Sequence, residues 1–160
     1  MFSGRIDMLF RPLSLSLAAC LLAGSAAAQE RQWSLDASDQ DAYLIFGVPD
    51  SDDVGVSLWC PIRQGVVNIF VPEIAGVEPG KTEITAALAA DDQSAEVSGK
   101  TEQDQDTGIS NFEGQIRVDD PIVAAMLKAD RFHLKSGGED MVFPLIEADL
   151  GGLVELCRKD

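Results

Sequence analysis

The chain has 160 residues, 27 of them Asp or Glu and 12 Lys or Arg, for a formal net charge of −15 with 46% apolar residues. That is one domain's length with enough apolar content for a core. So acidic a surface repels nucleic-acid phosphates and anionic lipid headgroups, and it favours a cationic protein or peptide as partner.

The first segment reads as an address rather than as structure. Arg11 precedes an apolar run from Leu13 to Leu22, and Ala26-Ala27-Ala28 supplies small residues just before Gln29. This is a secretory signal peptide over residues 1–28, leaving residues 29–160 as a single β-rich domain. The run is about ten residues long, half of what a spanning helix needs, and no later stretch replaces it. Met8 is an alternative start. Leu17-Ala18-Ala19-Cys20 also fits a lipoprotein cleavage pattern, but Cys20 sits inside the apolar run, so cleavage after Ala28 is the expectation. The mature chain is then expected in the periplasm or outside the cell.

Strand patterns follow. Trp33 to Asp36 alternates apolar and polar, and Asp39-Gln40-Asp41 reads as a turn. Ala42 to Val48 is almost continuously apolar, which predicts a strand buried on both faces. Pro49 to Asp53 reads as a turn, and its acids Asp50, Asp52 and Asp53 form a weak candidate for calcium. Val54, Val56, Leu58 and Cys60 share one face of the next strand, with Ser57 and Trp59 on the other. Ser57 lacks the second glycine of a nucleophile elbow. Val67, Ile69 and Val71 alternate with Val66, Asn68 and Phe70 until Pro72, which is expected to close the strand. Trp59 and Phe70 therefore share a face. That face is second-layer core if a helix covers it, and the best ligand-binding surface of the chain if it is open.

Gly76 to Thr82 resembles a phosphate-binding loop but is one residue short between its glycines, and Glu78 would repel phosphate. A Pro-Gly turn is the plainer reading. Ile84, Ala86 and Leu88, then Ala95, Val97 and Gly99, then Phe112, Gly114, Ile116 and Val118 each alternate with polar residues, as in antiparallel strands with one wet face. Ser98 to Ser110 carries few large apolar residues and reads as an exposed hairpin. Within it, Asp104 to Gly108 begins like a calcium loop, but its glycine and Glu113 stand at the wrong positions for an EF-hand.

Asp119 or Asp120 can cap a helix starting at Pro121, with Ile122, Val123, Met126 and Leu127 as its apolar stripe. Phe132 and Leu134 resume a strand and point His133, the one histidine, outward. One histidine is too few for a histidine-based zinc site. Ser136 to Glu139 turns the chain and Met141 to Ile146 returns. A last helix puts Leu150, Leu153, Val154 and Cys157 on one face, weakened by Gly151 and Gly152.

With Cys20 removed, Cys60 and Cys157 form an even pair in an oxidising compartment, so a disulfide is expected. It closes a loop of roughly a hundred residues and pins the weak terminal helix across the sheet. The fold expected is mainly β: an antiparallel β-sandwich or flattened barrel of about eight or nine strands with two short C-terminal helices. No motif names a catalytic group, a metal or a cofactor. This plan is similar to that of many small periplasmic proteins of Gram-negative bacteria. The function expected is a non-catalytic, acidic binding protein of the bacterial envelope that meets a cationic protein such as lysozyme. A small apolar-ligand carrier using Trp59 and Phe70 is the alternative, and an envelope hydrolase with dispersed carboxylates a third.

Overall fold

A computed structural model describes residues 30–160. The signal peptide, its cleavage point, Met8 and Cys20 lie outside the described residues. The elements run β1 (Gln32–Ala37), β2 (Asp41–Gly47), β3 (Val54–Pro61), β4 (Val66–Ile74), β5 (Glu83–Ala90), β6 (Gln93–Lys100), β7 (Ser110–Arg117), α1 (Pro121–Met126), β8 (Arg131–Ser136), β9 (Glu139–Pro144) and α2 (Leu150–Cys157).

All nine strands belong to one antiparallel sheet in the order β1-β2-β3-β4-β7-β6-β5-β8-β9. The chain leaves β4, passes two strand positions to enter β5, and returns through β6 and β7 to lie beside β4. That is a Greek-key connection. The ladder is shortest between β6 and β7, where only Gly99–Gly114 and Lys100–Glu113 pair. It divides the sheet into a five-stranded half, β1-β2-β3-β4-β7, and a four-stranded half, β6-β5-β8-β9. The sheet curls into a half-barrel, and the Trp33 indole N–H of β1 donates to the Pro144 carbonyl of β9 at 2.6 Å.

The alternation seen in the sequence sets the inner face. Leu44, Val56, Leu58, Ile69, Val71, Leu88, Val97, Phe112, Phe132 and Leu134 are all buried there, and Phe132 stacks on Phe143 at 5.1 Å. Gly99 and Gly114 are required at the joint between the halves, because a Cβ on either would run into the Phe112 ring. The two helices close the inner side. Asp120 caps α1 through its carboxylate, which accepts from the Ile122 amide at 3.0 Å, with Pro121 at the first helical position. Asp149 caps α2, accepting from Gly152 at 2.9 Å. Leu150, Leu153, Val154 and Cys157 face the core, and Cys157 is bonded to Cys60 with a Cα–Cα distance of 5.7 Å.

Two strand expectations are corrected. β2 is not buried on both faces: Ala42 and Leu44 are fully buried, but Tyr43 on the other face is 38% exposed. Its continuous apolar run comes from a second, outward-facing set of side chains rather than from a second covering layer. Pro72 does not end β4, which continues to Ile74 through a register shift after Val71. A proline is tolerated at such an irregularity because no ladder hydrogen bond needs its missing N–H.

Candidate functional site

Strand register decides whether the Trp59 and Phe70 face is covered. Tyr43 lies opposite Trp59, Trp59 opposite Asn68, and Asn68 opposite Gln115, so these four form one row across the five-stranded half. The next row holds Ile45, Ser57, Phe70 and Glu113. Ala42 and Cys60 pair in the alternate rows, on the inner side. Since α2 is bonded to Cys60, the helix lies against that inner side. The second helix, α1, packs on β5 and β6. The outer face of the five-stranded half therefore has no helix over it.

The large side chains on this face shelter one another in part. Trp59 and Phe70 are half-buried, and Tyr43 stacks on Trp59 with ring centroids 5.7 Å apart and planes 16° apart. Trp59 and Phe70 sit diagonally, since Phe70 is two residues beyond Asn68. Between them Ser57 and Asn68 are buried. The Asn68 amide donates to the Trp59 carbonyl at 3.3 Å and accepts from Gln115 at 2.8 Å, which ties three strands beneath the rings. These bonds anchor the strands that carry the aromatic pair.

Carboxylates border the rings on one side. Asp36 lies directly opposite Tyr43, Asp41 opposite Pro61, and Asp39 is in the turn between β1 and β2. Among the described residues none of these three has a basic side chain within ion-pair distance. An electron-rich aromatic face beside unpaired carboxylates receives an ammonium or guanidinium group by cation–π attraction and charge together.

The other candidate residues are engaged otherwise. The Asp104 carboxylate accepts from the amides of Asp106 and Thr107 and from the Thr107 hydroxyl, at 2.7–2.9 Å. Those bonds hold its pKa below the ordinary value, led by the Thr107 amide. Asp104 thus organises its own turn. Thr101 donates to the Asn111 carbonyl at 2.6 Å across the same segment. Asp53 is paired with Arg31. Lys81 of the short glycine loop is paired with Glu78 at 3.0 Å, and Gly76 and Gly80 take the positive φ that the loop needs. Gly76 also abuts Gly137, where a Cβ on either would collide with the other backbone. His133 faces outward, as expected, and its Nδ1 lies 2.9 Å from Asp140, whose carboxyl is held below the ordinary aspartate range by that bond.

Fold and face together define an antiparallel half-barrel with a disulfide-pinned helix inside and an uncovered aromatic face outside. No family model matches this chain, and no curated protein sequence matches it. Among solved structures it is similar to invasion associated protein B from Bartonella henselae, at 20% identity and a TM-score of 0.41, over 72% of this chain and 82% of that one. No helix among the described residues is long and apolar enough to cross a membrane.

Proposed function

We propose that this is a non-catalytic binding protein of the envelope or extracellular space, and that it docks a cationic protein or peptide on the Tyr43–Trp59 face. The observation that carries the reading is the uncovered aromatic stack bordered by the unpaired carboxylates of Asp36, Asp39 and Asp41. The disulfide between Cys60 and Cys157 supports export, because such a bond persists in oxidising compartments. Asp104, Asp119 and Asp140 are each held below their ordinary value by hydrogen bonds with Thr107, Arg117 and His133, so these three carboxylates are not placed as general acids.

The surplus of 27 acids over 12 bases speeds the encounter with a basic partner, and the rings give the contact its apolar centre. The test is retention of the exported protein on an immobilised basic protein such as lysozyme. Retention at low salt that falls steeply as salt rises, and that Trp59→Ala abolishes, is the expected result. Equal retention of wild type and Trp59→Ala would defeat the reading. A carrier of uncharged apolar ligands would show the opposite pattern, with binding indifferent to salt and to Asp36→Asn.

A further inference from the structure

Bases gather at one place on this acidic chain. Three of them, Arg117, Arg158 and Lys159, line one cavity of about 550 Å³ that contains a single acid, Asp119. Its wall is apolar at Val66 and Val118. The volume falls within the few hundred to a thousand Å³ common to small-molecule sites.

Three distant parts of the chain are locked together to make it. Arg117 ends β7 opposite Val66 of β4. Arg158 and Lys159 follow the last residue of α2, Cys157, directly after its bond to Cys60. Two backbone hydrogen bonds reinforce that bond: Gly65 N–H donates to the Cys157 carbonyl at 2.8 Å, and Arg63 N–H to the Leu156 carbonyl at 3.0 Å. Val118 N–H donates to the Gly65 carbonyl at 3.0 Å and closes the third side. Gly65 has φ +73°, and the Lys159 Cβ lies 3.5 Å from where a side chain at 65 would begin.

The cations are held but not used up. Asp119 takes two hydrogen bonds from Arg117, through Nε and Nη2 at 2.7 Å each, which leaves three of five guanidinium N–H groups free. Glu155 binds only Nη1 of Arg158, at 2.9 Å. Lys159 has no carboxylate within ion-pair distance among the described residues. We infer that this cavity is a binding site for a small amphipathic anion. Its carboxylate or phosphate head is bound by Arg158 and Lys159 beside Arg117, and its short apolar tail lies on Val66 and Val118. This site adjoins the aromatic face, because Val66 and Arg117 form the outward pair next to Asn68 and Gln115, and it has the opposite charge preference.

The test is an NMR titration of the intact exported protein with octanoate, octyl phosphate, inorganic phosphate and octylammonium. Both amphipathic anions should give saturable shifts at the amides of Gly65, Val118, Arg158 and Lys159, and the tighter of the two identifies the head group. Inorganic phosphate, lacking a tail, should bind about tenfold more weakly or worse, and octylammonium should leave those amides unmoved. Arg158→Gln with Lys159→Gln should weaken octanoate by about tenfold, while Arg131→Gln on the other half of the sheet should not. The inference is overturned if neither amphipathic anion gives a saturable shift at those amides. It is equally overturned if inorganic phosphate binds as well as octyl phosphate, or if the double substitution leaves octanoate affinity unchanged.

Discussion

The two halves of the sheet share one core but present different outsides. The five-stranded half carries Tyr43, Ile45, Trp59, Val66 and Phe70 outward, while the four-stranded half carries Thr85, Ala87, Ala89, Ser98, His133 and Lys135 with one large apolar residue, Val142. Large apolar side chains reached by water cost solubility, and the face proposed for docking is the one that keeps several of them together. On the other half Val142 stands alone among small and charged side chains, as isolated apolar residues do on an ordinary solvated surface. The same half that exposes its aromatics is the one clamped by the disulfide to α2. The cross-link and the proposed docking face therefore lie on the same half, and a pre-ordered face lowers the ordering cost of any such docking.

Breaking the clamp should separate the halves most clearly. Cys60→Ser with Cys157→Ser removes a cross-link spanning 97 residues, and the expected cost is about 2–5 kcal/mol, read as a lower midpoint in urea. Hydrogen exchange should show protection lost first in α2 and the turn between β3 and β4. The amides of α1, capped by Asp120 and packed on the other half, should hold longer. Uniform loss throughout would mean that the halves unfold as one unit.

The joint between the halves offers a smaller and more local perturbation. Gly114→Ala places a Cβ 2.7 Å from both the Phe112 ring and a Val97 methyl, and should destabilise by about 1–3 kcal/mol in the same assay. Gly151→Ala in α2, where nothing lies within 4 Å, should instead stabilise by several tenths to about 1 kcal/mol.

The smallest effect expected is acid-dependent. The folded-state pKa of Asp104 is depressed, so its contribution is fully present above the ordinary aspartate value and is lost as pH falls through the lower native value. Asp104→Asn should therefore be slightly less stable than wild type at neutral pH. The gap should close as pH drops below the usual aspartate range, measured by urea midpoints across pH.

Much of the fold was legible because it rests on local chemistry. Period-two alternation marked the inner residues of most strands, as at Val56-Leu58-Cys60 and Phe112-Gly114-Ile116. The Asp-Pro pair marked the start of α1, and heptad-like spacing put Cys157 on the buried face of α2. Pairing between distant strands was not legible. Nothing near β5 announces that β8 lies beside it, and nothing near β4 announces β7. The apolar run of β2 looked doubly buried because sequence records hydrophobicity and not whether a second layer exists. Trp59 and Phe70 were identified as sharing a face, but Tyr43, which stacks on Trp59, was missed because that contact depends on strand register. The cationic cavity was missed for the same reason, its lining coming from three separate segments. One signal was available: Arg158 and Lys159 follow a cysteine expected to bond Cys60, which places them beside the turn after Pro61.

Fluorescence of Trp59 tests the binding face most directly. In a Trp33→Phe background the emission comes from Trp59 alone, and a basic, arginine-rich peptide is added at low salt. Saturable quenching is expected, reversed by salt and weakened by Asp36→Asn and by Tyr43→Ala. Emission that stays constant while the peptide binds elsewhere would contradict the assignment of this face as the docking surface.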